Sequence, residues 1–438
     1  NKKKNFEFQR IFGMGDLTYR NAEKVFDDLP LTRIYAPVGS KKELLPYLVR
    51  RLLENGANSS FVNKYLSSEV PISEVVKNPI EIASANLKSG AFLKNVKRPE
   101  EIFEDRQNSK GFDFADAENL KNLNEEFKYF GSLKFVSESI IDGDPDLKEV
   151  AKKASCPGNS KKNIGTTKFA TDGLISYLQD NKPSDQWKNV SHDVKKEIFQ
   201  KVAAGLNQNK SRLFYLLATE AGKTIKDSDA EVREAIDFVN YYVCENEKIF
   251  LPHKLPSPTG EDNFLSYQAK GNFLCISPWN FPLAIFVGQI TAALVTGNNV
   301  IAKPAEDTSI IAYEIIKIFH DAGVPKEALQ LIIADKELSN ELTKLSWLDG
   351  IAFTGSSEAA KKINLNLAMS DGPIKTFIAE TGGLNAMFVD SSALKEQVID
   401  DIVRSAFLSA GQRCSALRVV YVQDDVADEY WDYLVEAM

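Results

Sequence analysis

Short apolar stretches alternate with helical repeats along the chain, and the period of that alternation changes as the chain proceeds. Phe6-Glu-Phe-Gln-Arg-Ile11 alternates as a strand does, and Gly13-Met-Gly15 turns it into a polar helix. Arg33-Ile-Tyr-Ala-Pro-Val38 reads as a second strand, ending at Gly39-Ser40, with Ser40 placed to cap the next helix. That helix, predicted over Lys42–Glu54, gathers Leu44, Leu45, Leu48, Val49, Leu52 and Leu53 on a broad apolar face, and Asn55-Gly56 stops it. Strand, helix, strand, helix is what one piece of a (β/α)8 barrel looks like; about 66 residues cannot close a barrel that takes about 250.

Residues 67–165 are read as a helical linker. It holds a short helix from Pro71 to Pro79, another from Pro79 to Ala91 and a polar loop from Arg98 to Asp113. A charged helix from Ala115 to Phe127, an edge strand over Lys134–Ile140 and a turn at Asp142-Gly-Asp-Pro145 come next. Cys156-Pro-Gly-Asn-Ser160 reads as a polar, mobile stretch without a role. Paired helices are expected over Val194–Gly222 and an amphipathic one over Ala230–Tyr242. The pattern then becomes regular. Strands at Asn272–Ser277, Asn299–Ala302, Leu329–Ile333, Gly350–Thr354, Lys375–Ala379 and Ala386–Asp390 are interleaved with helices, the signature of an α/β, doubly wound parallel sheet. Such sheets bind ligands beyond the carboxyl ends of their strands, where Asn280, Lys303, Gly355 and Ser356 fall.

Composition narrows the classes. Hydrophobic residues make up 43% and charged residues 26% of the 438, as in a globular protein that buries a large core. A net charge of −8 argues against nucleic-acid binding through this segment. Four dispersed cysteines and three isolated histidines offer no metal-ligand spacing, so no metal is expected, and the cysteine usage fits a reducing cytoplasm. The longest apolar run, Phe281–Val295, is too short for a membrane span and contains Gln289. The chain begins without Met and stops inside the helix-like run Val426–Met438, so both ends read as cut.

Candidate chemistry sits at a few points, each with two readings. Arg50 and Arg51 are either a solvated pair or a guanidinium fork for a carboxylate. The chain has no G-x-G-x-x-G, so the usual dinucleotide fingerprint is missing. Gly355 and Ser356 nevertheless offer amides at a helix start, which suits phosphate, and Lys303 with Glu306 either flank a ribose or are ordinary loop polarity. Glu380, at a strand end before Gly382-Gly383, is a general base or a loop acid. Cys414 lies where an apolar run, broken by Gly411-Gln412, meets the strand Leu417–Val422: a nucleophile presented into a cleft, or a buried inert thiol.

Two resemblances weigh on these alternatives. Tyr35-Ala-Pro-Val-Gly and Tyr47-Leu-Val-Arg-Arg-Leu-Leu-Glu-Asn-Gly-Ala-Asn-Ser-Ser-Phe-Val-Asn63 resemble the end of the proline dehydrogenase barrel of bifunctional proline utilization A proteins. Ser277-Pro-Trp-Asn-Phe-Pro, Lys303-Pro-Ala-Glu, Phe353-Thr-Gly-Ser, Glu380-Thr-Gly-Gly and Gly411-Gln-Arg-Cys-Ser-Ala resemble the aldehyde dehydrogenase superfamily, in particular its glutamate semialdehyde (Δ1-pyrroline-5-carboxylate) branch. The resemblance implies residues 1–66 as the end of the barrel, 67–165 as linker, 166–382 as an NAD-binding domain and 383–438 as the start of a catalytic domain. It implies Cys414 as nucleophile, Asn280 as oxyanion donor and Glu380 as base, with Ile276, Ser277, Pro278, Trp279, Lys303, Glu306, Gly355 and Ser356 around NAD. Phe281 would contact substrate, as would Arg50, Arg51, Tyr35 and Ile11 on the proline side, with Glu54 in the flavin network. Ile11 departs from the leucine usual there. The implied activity is oxidation of proline to glutamate through the semialdehyde, with NAD and a partly encoded FAD site, a quinone acceptor for the flavin, and a homo-oligomer; this segment alone is expected to be inactive. A stand-alone semialdehyde dehydrogenase carrying a barrel remnant and a non-catalytic scaffold of the same fold remain alternatives. A location in the cytoplasm, with the inner membrane face open, is implied by the same resemblance.

Overall fold

The computed structural model describes residues 6–12, 15–26, 29–56, 71–89, 97–146, 148–171 and 173–438. The chain falls into two units, Asn1–Val96 and Lys97–Met438. In the first, β1 (Phe8–Ile11) and β2 (Thr32–Tyr35) are parallel, in register from Phe8↔Thr32 to Ile11↔Tyr35. Helix α1 (Asp16–Val25) connects them and α2 (Lys41–Gly56) comes after β2. Ser40 does cap α2: its hydroxyl accepts from Glu43 N at 3.4 Å and its own N–H donates to the Glu43 carboxylate at 2.8 Å, a reciprocal capping box. Among the described residues, two further helices follow, α3 (Ile72–Val75) and α4 (Pro79–Ser89). None of its described residues is buried, because two strands and their helices cannot enclose a core.

The second unit opens with α5 (Ala117–Ser132), capped by Asp116 accepting from Glu118 N at 2.8 Å. Next is a sheet of β3 (Phe135–Ser137), β4 (Glu149–Cys156) and β5 (Asn159–Ala170), in the order β3-β5-β4. The long β4–β5 hairpin replaces the mobile stretch expected around Cys156, which closes β4 instead. Its polarity pattern hid it: β4 is exposed along most of its length, so no apolar alternation marks it as a strand. Helices α6 (Gly173–Asp180), α7 (His192–Gln208) and α8 (Lys210–Thr219) lead to α9 (Ile225–Phe250), at 26 residues twice the expected length. Thr224 caps α9 by accepting from Asp227 N at 3.1 Å. One face of α9 buries Val232, Ala235, Ile236 and Val239; another binds the preceding loop, with Asp237 accepting from Ser109 N at 2.6 Å and Asp229 from Phe112 N at 3.1 Å. A small antiparallel ribbon, β6 (His253–Leu255) and β7 (Asn263–Leu265), precedes the main sheet.

That sheet alternates as expected: β8 (Asn272–Ile276), α10 (Ala284–Val295), β9 (Asn299–Lys303), α11 (Ser309–Ala322), β10 (Leu329–Leu331), α12 (Lys336–Leu342), β11 (Gly350–Gly355), α13 (Ser357–Ala368) and β12 (Thr376–Thr381). The strands are all parallel, in the order β10-β9-β8-β11-β12. They read as unbroken apolar runs because helices cover both faces. Phe273, Cys275, Val300 and Ala302 join one core, and Leu274, Ile276, Ile301, Ile351 and Phe353 another. Gly323, at φ 112°, ends α11 where any side chain would be strained, and lets Val324 N reach back to Phe319 O at 3.1 Å. A second parallel pair, β13 (Asn385–Val389) and β14 (Leu417–Val422), packs with α14 (Lys395–Phe407) and α15 (Ala427–Ala437) around Val389, Ile399 and Tyr430. The main sheet reverses its strand order between β8 and β11, which opens a crevice at their carboxyl ends.

Candidate active site

The crevice holds a cavity of about 850 Å³. Ile276, Ser277, Pro278, Trp279 and Asn280 line it from the end of β8, Lys303 and Glu306 from β9, Gly355 and Ser356 from β11, and Cys414 with Gln412 and Arg413 from the loop ahead of β14. Asn280 and Cys414, 134 positions apart, thus share one wall, although the strand after Cys414 belongs to the separate β13–β14 pair.

Each group is held by its own local structure. Ser356 caps α13 by accepting from Ala359 N at 3.2 Å, which leaves a helix start in the crevice. Lys303 is buried, and no hydrogen bond or ion pair reaches its ammonium among the described residues. Burial holds that ammonium below the usual lysine range, against the opposing pull of Glu306 and Asp335. The Ser277 hydroxyl is likewise buried without a partner. The buried, unmet Ser277 hydroxyl is the kind of group a polar ligand in the crevice would satisfy.

Asn280 donates one amide proton to Gln412 O at 2.8 Å, which fixes its rotamer and leaves its second N–H available. The Cys414 loop is tied from two sides. Asn385 Nδ2 donates to Cys414 O at 2.7 Å and to Ala416 O at 2.9 Å, while Arg418 donates to Gly411 O at 2.9 Å. Ser409, Ala410 and Gly411 adopt φ of 57°, 55° and 67° in succession, a sharp reversal that delivers an exposed Cys414 thiol. A Cβ on Gly411 would stand 2.7 Å from Ala406 O, so only glycine fits.

Other expected residues lie elsewhere. Glu380 is exposed on the edge strand β12 and does not line the cavity; its neighbours Thr381 and Gly382 do. Phe281 is half-buried behind the crevice between two cations, Lys223 at 4.2 Å and Arg413 at 5.7 Å from its ring. In the first unit Ile11 is half-buried, and Tyr35 and Arg50 are exposed; the side chains of Arg51 and Glu54 lie outside the described residues. Lys336, Ser339, Asn340 and Thr343 on and beside α12, and Lys362 on α13, also line the cavity without having been expected there. Their polar spacing is that of any solvated helix face, so the sequence carries no signal for them.

The sequence matches the model of the aldehyde dehydrogenase family over residues 167–438. The chain belongs to that family. Residues 1–64 match the proline dehydrogenase model. The chain is 39% identical, over 99% of its length, to the bifunctional protein PutA of Salmonella typhimurium, but spans only 33% of that protein. It is 32% identical to a 1-pyrroline-5-carboxylate dehydrogenase of Staphylococcus saprophyticus, covering 74% of this chain and 64% of that one. Among solved structures, proline utilization A with proline bound in remote sites superposes with a TM-score of 0.79 at 39% identity, covering 99% of this chain and 41% of that one. The Thermus 1-pyrroline-5-carboxylate dehydrogenase with bound NAD gives 0.72 at 27% identity, covering 77% and 67%. An aldehyde dehydrogenase fold preceded by a proline dehydrogenase portion is therefore the architecture of this chain. No helix among the described residues is long and apolar enough to cross a membrane.

Proposed function

We propose that this chain carries the aldehyde-oxidising site of a protein that converts proline to glutamate, acting on L-glutamate γ-semialdehyde with NAD. The observation that carries the reading is the hydrogen bond from Asn280 to Gln412 O, which holds an amide beside the Cys414 loop at the edge of a dinucleotide-sized crevice. The Cys414 thiolate adds to the aldehyde carbon, and the free N–H of Asn280 meets the oxygen as it becomes negative. NAD fits the crevice: Lys303 and Glu306 would hold its ribose, the α13 start at Ser356 its pyrophosphate, and the unpartnered Ser277 hydroxyl is within the same wall. When bound there it supplies the two-electron acceptor. Glu380, exposed beside the cavity-lining Thr381, is assigned as the base that draws a proton from water during thioester hydrolysis, releasing glutamate and the free thiol, a role for which its side chain turns inward from the position it holds here.

For the first unit the reading is a portion of an FAD-dependent proline dehydrogenase, with Arg50 and Arg51 as the carboxylate fork, Tyr35 and Ile11 beside the substrate and Glu54 in the flavin network. No step is derived through the flavin, because the described side chains do not build its site. Small-molecule substrates, a quinone acceptor, a homo-oligomer and a cytoplasmic setting belong to the same proposal.

The test uses two arms. NAD titrated into the 438-residue chain should quench Trp279 emission, and Trp279→Phe should remove that signal. In the longest natural form of the protein, Cys414→Ser should abolish NADH formation from pyrroline-5-carboxylate. An absence of NAD binding, or retained turnover in Cys414→Ser, would overturn the reading.

A further inference from the structure

The first two turns of α9 connect the loop of Asn280 to the loop of Cys414. Lys223, just ahead of the Thr224 cap, and Arg413, just ahead of Cys414, both face the ring of Phe281, at 4.2 and 5.7 Å. Each cation has its own carboxylate on α9. Glu231 stands 2.6 Å from Lys223 Nζ, and Asp227 stands 3.7 Å from Arg413. Asp227 is itself held by the Thr224 hydroxyl at 2.8 Å. Glu231 is wholly buried, and its other oxygen accepts the N–H groups of Leu283 at 2.8 Å and Ala284 at 3.2 Å. Those are the first orphan donors of α10, the helix that begins four residues after Asn280. One buried carboxylate therefore does two things: it fixes where α10 starts, and it fixes the cation that presses on Phe281.

We propose that Glu231, acting with Lys223, is a positioning residue that sets the Asn280–Phe281 loop against the Cys414 loop. It pins the start of α10 and holds the Phe281 ring between Lys223 and Arg413. The proposal rests on the reading of Cys414 and Asn280 as nucleophile and oxyanion donor. A carboxylate buried only to fill space would need neither the helix amides nor the lysine. The oxygen facing Lys223 makes the ion-pair contact without a well-aligned hydrogen bond, and an ion pair this deep is tolerated where it selects one arrangement.

The test uses the 438-residue chain and two readouts that need neither cofactor nor turnover: amide hydrogen exchange over residues 283–287, and the rate of iodoacetamide alkylation at Cys414, read by peptide mass spectrometry. Glu231→Ala should raise exchange in the first turn of α10 about tenfold while the rest of the sheet stays protected, and should change the alkylation rate about fivefold. Glu231→Gln keeps an acceptor for the helix, so it should restore the amide protection but not the alkylation rate. Lys223→Met should leave the exchange within about twofold of wild type and still change the alkylation. Wild-type exchange in a Glu231→Ala protein that keeps its circular dichroism, or wild-type alkylation in Lys223→Met and Glu231→Gln, overturns the proposal. If Glu231→Ala does not fold, the other two variants decide through alkylation. A failure of the enzymatic reading appears separately, as a chain that does not bind NAD or a Cys414→Ser protein that still makes NADH.

Discussion

Four thiols in one chain meet four different environments. Cys275 lies fully buried in β8, where burial pushes its thiol up to about 12. Cys244 is buried beside Asp105, and burial first, then the bond to that carboxylate, raises it too. Cys414 alone is exposed. Iodoacetamide at neutral pH should therefore modify Cys414 in the native chain and reach Cys275 only on unfolding; peptide mass spectrometry with and without denaturant reads the difference, and native labelling of Cys275 would contradict the burial. The left-handed run before Cys414 makes a second prediction. Gly411→Ala meets both the φ of 67° and the Ala406 carbonyl, and should lower stability by about 1–3 kcal/mol in thermal unfolding. An unchanged melting temperature would mean that the loop relaxes without cost. Gly411 was legible as a breaker, whereas the residues around Cys414 left a presented nucleophile and a buried thiol both open until the family resemblance was weighed. The two strained residues ahead of Gly411 were not legible, because Ser409 and Ala410 carry no preference for φ > 0.

At the scale of elements, α10 and α11 are both capped from far away along the chain. Glu231 serves α10, and Glu220 accepts from Ile310 N and Ile311 N at 2.8 Å each at the start of α11. Both acids come from one short stretch between α8 and the second turn of α9, so a single segment sets the two helices that come after the cofactor loops. Burial, working against those two N–H donors, pushes the Glu220 carboxyl up to about 8. The folded chain then holds the Glu220 proton more tightly than the unfolded chain, where a glutamate titrates near 4.5. The stability it contributes is complete below that value and is lost as pH rises through about 8. Glu220→Gln keeps one of the two acceptor oxygens and removes the titration, so, whatever its stability at pH 5, its melting temperature should fall less than that of wild type between about pH 5 and pH 8. Parallel curves for the two proteins would refute the assignment. Glu220→Ala leaves two buried N–H groups unmet and should cost about 2 kcal/mol. Nothing in the sequence announced these caps. A glutamate in an amphipathic helix looks solvated, and its partners here stand 52 and 90 residues on. The alternating strands and helices were legible because burial on both faces writes unbroken apolar runs. The β4–β5 hairpin was not, because β4 is exposed along most of its length and writes no apolar alternation, even though the second half of β5 is buried.

At the scale of the whole chain, the two units differ in what they bury. Lys97–Met438 contains three apolar clusters, whereas no described residue of the first unit is buried. Phe12, Leu17, Val38 and Leu53 are 70% exposed or more. Hydrophobic burial is the main favourable term in folding, so calorimetry should resolve a weak, low-temperature transition for residues before Val96 and a cooperative, later one for the rest. Amide exchange should be rapid throughout α1 and α2. A single transition with uniform protection would show that the units melt as one. The split between a proline dehydrogenase portion and an aldehyde dehydrogenase fold was legible from motifs, but this contrast in burial was not, since α2 carries as broad an apolar stripe as the helices of the core.

The hydrogen bond from Asn280 to Gln412 closes a loop of 132 residues. A ribosome releases chain from the amino end, and domains form in that order as they emerge. The sheet and the groups expected to hold cofactor are in place once β12 has been made, whereas the thiol arrives 33 residues after its end at Thr381. During synthesis, then, the nascent protein passes through a stage with its sheet in place and no nucleophile, and the reactive sulfur joins only a sheet edge already built.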